Sequence, residues 1–512
     1  MAQPLFKTLS PLAIVGIEGT SLAPRERELL CEAPPAGIIV FARNVEGGRQ
    51  LAGLIAEIEG VFAAAGARPP IIAADHEGGI VSVLARAIGT PPSQMAAGLA
   101  GAPFARRLYE ENALRMRACG VNMMLGPVAD VNSERLNPII GTRSFGESVE
   151  TVSACVREAV AGAKAAGLLT CLKHFPGHGP TRADSHVVLP VLGATLDELR
   201  KKDLVPFVRG IEAGADSVMV AHVVPAGRTL PASLDREIVT GVLREELGFG
   251  GVIMTDALEM AGARTGASEG AARPLAESCE AALRAGNDIL LFSSPVAKVA
   301  EELDAGGAAG ERSGFWRDEL AGRLAISGVR IDGLTAIIKK QSKSAASQLF
   351  DDDVYRGIAR RSVRDAGGTG GITPASVRPD LEVAFWSEGD LFRRPPVQNF
   401  IEQVVTGLSR GGRALSPLGA DKSLATSSME SIVYSSAPGA SEVSRVVFLM
   451  NRRPLEAAAV RGLCARADAV VVAEWPYAAD LLEPDMRLIV TYGVYDTAAE
   501  LVCSKLLSRP SC

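Results

Sequence analysis

The chain is poor in histidine and aromatics, has no long apolar run, and carries no surplus of positive charge. Each shortage excludes something. A net charge of −6 leaves no cationic footprint for nucleic acid or for an anionic membrane surface. No apolar run reaches the length of a bilayer-spanning helix, and Leu12–Ile17 is far too short. Met1 to Ser10 lack the basic and apolar halves of a secretory leader, so a cytoplasmic chain is expected. The eight cysteines are scattered without a C-x-x-C pair. That argues against a zinc ribbon or thioredoxin-like site and for a reducing compartment, with Cys119 and Cys171 as small buried thiols. No H-E-x-x-H occurs, and no G-x-G-x-x-G follows the first apolar run, which weakens zincin and dinucleotide-binding readings. At 47% apolar and 22% charged residues, 512 positions suit two or three globular domains.

What is present is rhythm. Eight short apolar runs recur in the first three hundred residues: Leu12–Ile17, Gly37–Phe41, Pro70–Ala74, Val121–Leu125, Leu168–Leu172, Ser217–Ala221, Gly251–Thr255 and Asp288–Phe292. Each is continuous rather than alternating, as strands buried on both faces are. Helical segments lie between them, clearest at Leu51–Ala65, Pro103–Ala118, Val152–Ala166, Leu196–Ala213 and Glu277–Ala285. Gly120, Gly167, Gly214 and Gly286 stand where helices should stop. Eight strand–helix units predict an α/β fold of the (β/α)8 TIM-like barrel type, with an open doubly wound sheet as competitor. The expected division is a barrel over 1–335, a helical, basic linker segment over 336–370, and a smaller α/β layered domain over 371–512. The linker ends in Gly367-Gly368-Thr369-Gly370-Gly371. In the last domain, Leu381–Trp386, Ser431–Tyr434, Arg445–Met450, Ala469–Ala473 and Leu488–Thr491 read as strands. Asn399–Leu408, Leu455–Arg466 and Thr497–Leu507 read as helices. This domain has no histidine, and packing or homodimerisation is its expected role.

Three of the five histidines fall within fourteen residues, Lys173 to His186. Two Gly and two Pro in that stretch predict a loop following the fifth strand. In a barrel, chemistry sits at the C-terminal ends of the strands. The ionisable residues just past the runs are Glu18, Asp75, Asp130, Lys173, His174, His222 and Asp256. Asp184 and His186 are two apart, so a locally extended backbone puts both on one face. A carboxylate beside an imidazole fixes its tautomer and suits it to proton transfer near neutral pH. Asp256, directly after Gly251–Thr255, can be a nucleophile, a base or a ligand-binding group. Asp75 as acceptor, with Arg143, Lys173 and His174 as donors, suits a polyhydroxylated ligand. A metal site built from His174, His178, Asp184 and His186 is disfavoured by Lys173 beside it. No metal and no cofactor is expected.

Lys173-His174-Phe175-Pro176-Gly177-His178-Gly179 followed by Asp184-Ser185-His186 resembles the signature of glycoside hydrolase family three, in its β-N-acetylglucosaminidase branch. So do Glu18-Gly19-Thr20, Gly37 to Asn44, Asp75-His76-Glu77-Gly78-Gly79, Gly126 to Val131, Arg143-Ser144-Phe145-Gly146, Ala221-His222 and Thr255 to Met260. The resemblance spans Ile14 to about Ile331. It implies a retaining, exo-acting β-N-acetylglucosaminidase working on a carbohydrate with a terminal β-linked N-acetylglucosamine. It implies Asp256 as the nucleophile and His186 as the acid/base with Asp184 as its partner. Asp75, Arg143, Lys173, His174 and His222 match sugar-binding positions. A histidine in place of a second carboxylate would not repel an incoming anion, so phosphorolysis to a sugar 1-phosphate is the alternative, as is a β-glucosidase. A catalytically inactive sugar-binding relative is the alternative of a different class. Three departures touch the sugar pocket: Gly16 for a frequent Asp, His76 for Gln, and Ile80 for Arg.

Overall fold

A computed structural model describes residues 4–181, 189–264, 273–305 and 315–341. Beyond these it describes 352–362, 364–365, 381–388, 395–410, 416–419, 429–435, 444–449, 469–473, 488–491, 495, 498–499 and 502. The eight apolar runs become eight parallel strands: β1 (Ala13–Gly16), β2 (Gly37–Val40), β3 (Ile71–Ala74), β4 (Met123–Met124), β5 (Leu169–Phe175), β6 (Ser217–Val220), β7 (Val252–Thr255) and β8 (Leu290–Pro295). They lie in the order β7-β6-β5-β4-β3-β2-β1-β8, and a bridge between Met254 and Ile289 closes the ring. The barrel follows from the residue pattern. Its strands carry short runs such as Ile71-Ile72-Ala73-Ala74 and Val252-Ile253-Met254-Thr255, buried throughout because helices cover one face and the barrel interior the other.

Local chemistry starts and stops the helices. The Ser93 and Ser148 hydroxyls accept from the amides of Ala96 and Thr151, capping the helices Gln94–Ala100 and Val149–Ala165. The four glycines expected as helix stops all take positive φ. The predicted helix over 196–213 is instead two, Leu196–Lys201 and Leu204–Glu212. Pro206 has no N–H to give to the carbonyl of Lys202, so a continuous helix would lose a bond there.

At the base of the barrel the buried carboxylate of Asp288 binds Arg244 and Arg330, both at 2.7 Å, and the Ser327 hydroxyl at 2.9 Å. It thereby ties the helix Leu320–Gln341 to β7 and β8. The next helix, Asp352–Ser362, packs on the helices Gln94–Ala100 and Ala102–Ala118. There Tyr355 donates to Asn112, and the Arg115 guanidinium lies 4.8 Å from the Tyr355 ring centre.

A smaller α/β layered domain follows, with a seven-stranded mixed sheet. Its strands Leu381–Glu388, Ser444–Leu449, Ala469–Val472 and Leu488–Val490 are parallel, while Met429–Ser435 pairs antiparallel with the first of them. The expected strand runs are all present. Two short strands, Arg364–Asp365 and Ser416–Gly419, add to the two edges, and the helix Pro395–Arg410 covers the expected Asn399–Leu408. The glycine linker 367–371, the helix expected over 455–466 and most of 497–507 lie outside the described residues. No helix among the described residues is long and apolar enough to cross a membrane.

Candidate active site

The C-terminal ends of the barrel strands surround a cavity of about 550 Å³. Asp75, Arg143, Lys173, His174, His178 and Asp256 all reach its wall, together with apolar side chains such as Val81, Val83 and Met260. Five of the predicted site residues therefore share one cavity although 181 positions separate Asp75 from Asp256.

Lys173 and His174 belong to β5 itself. The strand runs on through Phe175, where the sequence predicts a loop from Lys173 onward. Both side chains are buried at the barrel top and are held by carboxylates from neighbouring strands. Lys173 Nζ binds Asp75 Oδ1, and lies 2.6 Å from Glu77 Oε1. Burial would lower the Lys173 ammonium, but Asp75 and Glu77 outweigh it and raise it. His174 Nδ1 lies 2.7 Å from Asp130 Oδ2, and its Nε2 lies 3.2 Å from Arg143 Nη2. An arginine nitrogen only donates, so Nε2 accepts and Nδ1 carries the proton towards Asp130.

Glu77 is the hub that the sequence reading passed over. Its side chain is fully buried. It takes a two-pronged grip on Arg143, Nε to Oε2 and Nη2 to Oε1, both at 2.7 Å, besides the contact with Lys173. Burial alone would raise this carboxyl; Arg143 and Lys173 overcome it and hold it well below the usual carboxylate range. Arg143 in turn is held charged, Glu77 outweighing its burial. Glu77 thus fixes both cationic donors, and Asp75 keeps a second oxygen with no hydrogen bond among the described residues. The available signal was position: Glu77 sits three residues past the end of β3, on a short hairpin in which His76–Gly78 pairs with Val81–Ser82.

Asp130, one of the carboxylates expected past a strand end, is the second anchor. It is fully buried, and it accepts from His174 Nδ1, from the His174 amide at 3.2 Å and from the His178 amide at 2.7 Å. Burial pushes its carboxyl up, but the two histidines bring it down. Asn137 adds two bonds, donating to the carbonyls of His178 and Gly179, both at 2.8 Å. The turn after β5 is held from the β4 side. A Cβ on Gly179 would lie 1.7 Å from the Val131 carbonyl oxygen, so only glycine fits that approach. Burial and His174 lower His178 to about 4, leaving it neutral near pH 7.

Asp256 follows β7, and one of its oxygens accepts from the Ala257 amide at 2.7 Å. His222 has a different place from the one expected. It is buried and is not among the residues lining the cavity. Its Nε2 donates to the Ala257 carbonyl at 3.0 Å, and its Nδ1 lies 2.7 Å from the Ser233 hydroxyl. It steadies the backbone beside Asp256. Asp184 and His186 lie outside the described residues.

The three departures have physical readings. A Cβ on Gly16 would lie 2.7 Å from Arg43 Nη2 and 2.6 Å from the Ser293 carbonyl, so the Arg43 guanidinium takes the space of a side chain there. His76 is buried, and burial, with Arg115 nearby, lowers it to about 3. Ile80 is buried in the core.

Comparison with known proteins adds an independent line. The model of the glycosyl hydrolase family 3 N terminal domain matches residues 10–312. A beta-hexosaminidase of Stenotrophomonas maltophilia is 37% identical over 292 residues, covering 56% of this chain and 84% of that one. A glycoside hydrolase family 3 beta-N-acetylglucosaminidase from Paenibacillus superposes with a TM-score of 0.77 at 26% identity, over 99% of this chain and 97% of that one. NagZ from Neisseria gonorrhoeae, solved in complex with N-trifluoroacetyl-D-glucosamine, aligns with a TM-score of 0.52 at 30% identity, over 66% of this chain and 97% of its own.

Proposed function

The chain belongs to glycosyl hydrolase family 3, and from that premise we propose that it is a retaining, exo-acting β-N-acetylglucosaminidase. The observation that carries this reading is the convergence of Asp256 with Asp75, Arg143, Lys173 and His174 on one cavity at the barrel top. In the proposed reaction the Asp256 carboxylate attacks the anomeric carbon of a terminal β-linked N-acetylglucosamine. The bond to the leaving oxygen breaks, and that oxygen takes a proton from His186. The imidazole then removes a proton from water, which attacks the same carbon and frees Asp256 with net retention. Asp184 holds the His186 tautomer. Arg143 and Lys173 donate to sugar oxygens, Asp75 accepts from hydroxyls, and His174, whose one N–H goes to Asp130, lines the pocket and orients Arg143. The buried Glu77 and Asp130 keep these groups in place before substrate arrives, which is where preorganisation gains rate. His222 acts through the Ala257 carbonyl rather than through the sugar.

The reading includes a cytoplasmic location and no metal or cofactor. The proposed division is a catalytic barrel over 1–335, a connection over 336–370 and a second domain over 371–512 that dimerises; the helix Leu320–Gln341 crosses the first boundary, and Arg364–Asp365 already pairs into the second domain's sheet. A panel of nitrophenyl glycosides, each run with and without phosphate, tests the function. Turnover of the β-N-acetylglucosaminide above the β-glucoside, with free N-acetylglucosamine released, is the expected result. Sugar 1-phosphate as the main product assigns phosphorolysis instead, and no turnover of any glycoside leaves a sugar-binding protein.

A further inference from the structure

Asp203 stands at the start of the helix Leu204–Glu212, and no substrate-facing role accounts for it. It is only 5% exposed, and its Oδ1 has no hydrogen-bond partner among the described residues. It is pressed against the turn after β5. Gly177 in that turn has φ of 124°, and a Cβ placed there would lie 2.7 Å from the Asp203 Cβ and 3.3 Å from its Oδ1. The same turn carries His178 and continues directly from Lys173 and His174. We propose that Asp203 is a positioning residue for this sugar-binding turn, pinning Gly177 by close contact where Asp130 and Asn137 hold its neighbours by hydrogen bonds.

The chemistry of that contact makes it depend on pH. Burial, and then the Asp130 carboxylate, push the Asp203 carboxyl up to about 7, while its own amide and Lys202 pull the other way. The titratable groups on the turn are His174 and His178, both in contact with Asp130. Below that pH a neutral carboxyl tolerates burial. Above it, a carboxylate with an unsatisfied oxygen is buried against Gly177 and repelled by Asp130. A raised acid favours the fold in its neutral form, so the support is full below the free carboxyl range at about pH 4 and is lost progressively as pH rises to about 7.

The activity arm of the test rests on the glycosidase reading; the exchange arm does not. In the first, kcat and KM of wild type and Asp203→Asn are measured from about pH 5.5 to 8.5 on the nitrophenyl substrate. The amide cannot ionise, so the ratio of variant to wild-type kcat/KM is expected to be flat below pH 6 and to rise about threefold or more by pH 8.5, chiefly through KM. In the second, hydrogen exchange is followed in wild-type protein without sugar. Protection of the peptide spanning 173–181, corrected for intrinsic rates, is expected to fall from about pH 5.5 to 7 and level off above, while that of the helix Ala102–Ala118 holds. A flat activity ratio overturns the proposal. Unchanged protection of the turn overturns it too, whatever the substrate proves to be.

Discussion

Replacing Glu77 by Gln leaves the shape of the side chain and removes its charge. Glu77 is completely buried and receives three charged contacts, two from Arg143 and one from Lys173, all between 2.6 and 2.7 Å. Breaking a buried ion pair on one side costs about 3–5 kcal/mol, because the partner is left charged and dry. Lys173 keeps Asp75, so the loss falls mainly on Arg143 and the lower figure applies, about 3 kcal/mol. That is a large share of a typical folding free energy of about 5–15 kcal/mol. Urea denaturation followed by circular dichroism should show the midpoint lowered by about 1 M or more. The pH dependence has a definite sign. Glu77 is depressed in the folded state, so its contribution is full above the carboxyl range of the unfolded chain, about 4.3. It fades as the pH falls from there through the folded value. The gap between wild type and Glu77→Gln should therefore be constant from about pH 5 to 8 and narrow on acidification below about 4. A loss under about 1 kcal/mol, or a gap that widens in acid, would refute Glu77 as the charged hub of the site.

Three further substitutions probe the groups around it. Arg143→Lys keeps the charge but cannot make the two-pronged contact with Glu77, and kcat/KM is expected to fall about 10- to 100-fold in steady-state assays. His186→Ala should slow natural glycosides far more than aryl glycosides whose leaving groups need little protonation; equal losses on both substrate types would remove it from the acid role. Gly179→Ala forces a methyl group to within 1.7 Å of the Val131 carbonyl oxygen, so the turn must shift. A stability loss of about 1–3 kcal/mol by thermal denaturation is expected, with a raised KM.

The barrel was legible because its strands are buried on both faces, so Ile71–Ala74 and Val252–Thr255 read as unbroken apolar runs. The end of β5 was not, because the partners that let Lys173 and His174 extend the strand inside the barrel, Asp75, Glu77 and Asp130, are distant in sequence. Asp75, Lys173, His174 and Asp256 were singled out by their place past the apolar runs and Arg143 as a cationic donor, and all five line one cavity. Glu77 was seen only as part of a motif, and Asp130 only as one carboxylate past a strand, since their weight comes from complete burial among charges, which spacing does not reveal. His222 occupied a matching position, yet Ser233 and the Ala257 carbonyl take its ring nitrogens. Pro206 was a plain signal that the helix over 196–213 would break.

The central claim is that Asp256 forms a bond to sugar, and trapping that bond tests it most directly. A fluorinated N-acetylglucosaminyl donor, slow to deglycosylate, is incubated with the enzyme, and the protein is digested and mapped by mass spectrometry. One glycosyl group per chain on the peptide containing Asp256, absent from Asp256→Ala, is the expected result. Stoichiometric labelling at another carboxylate, or turnover surviving in Asp256→Ala, would contradict it.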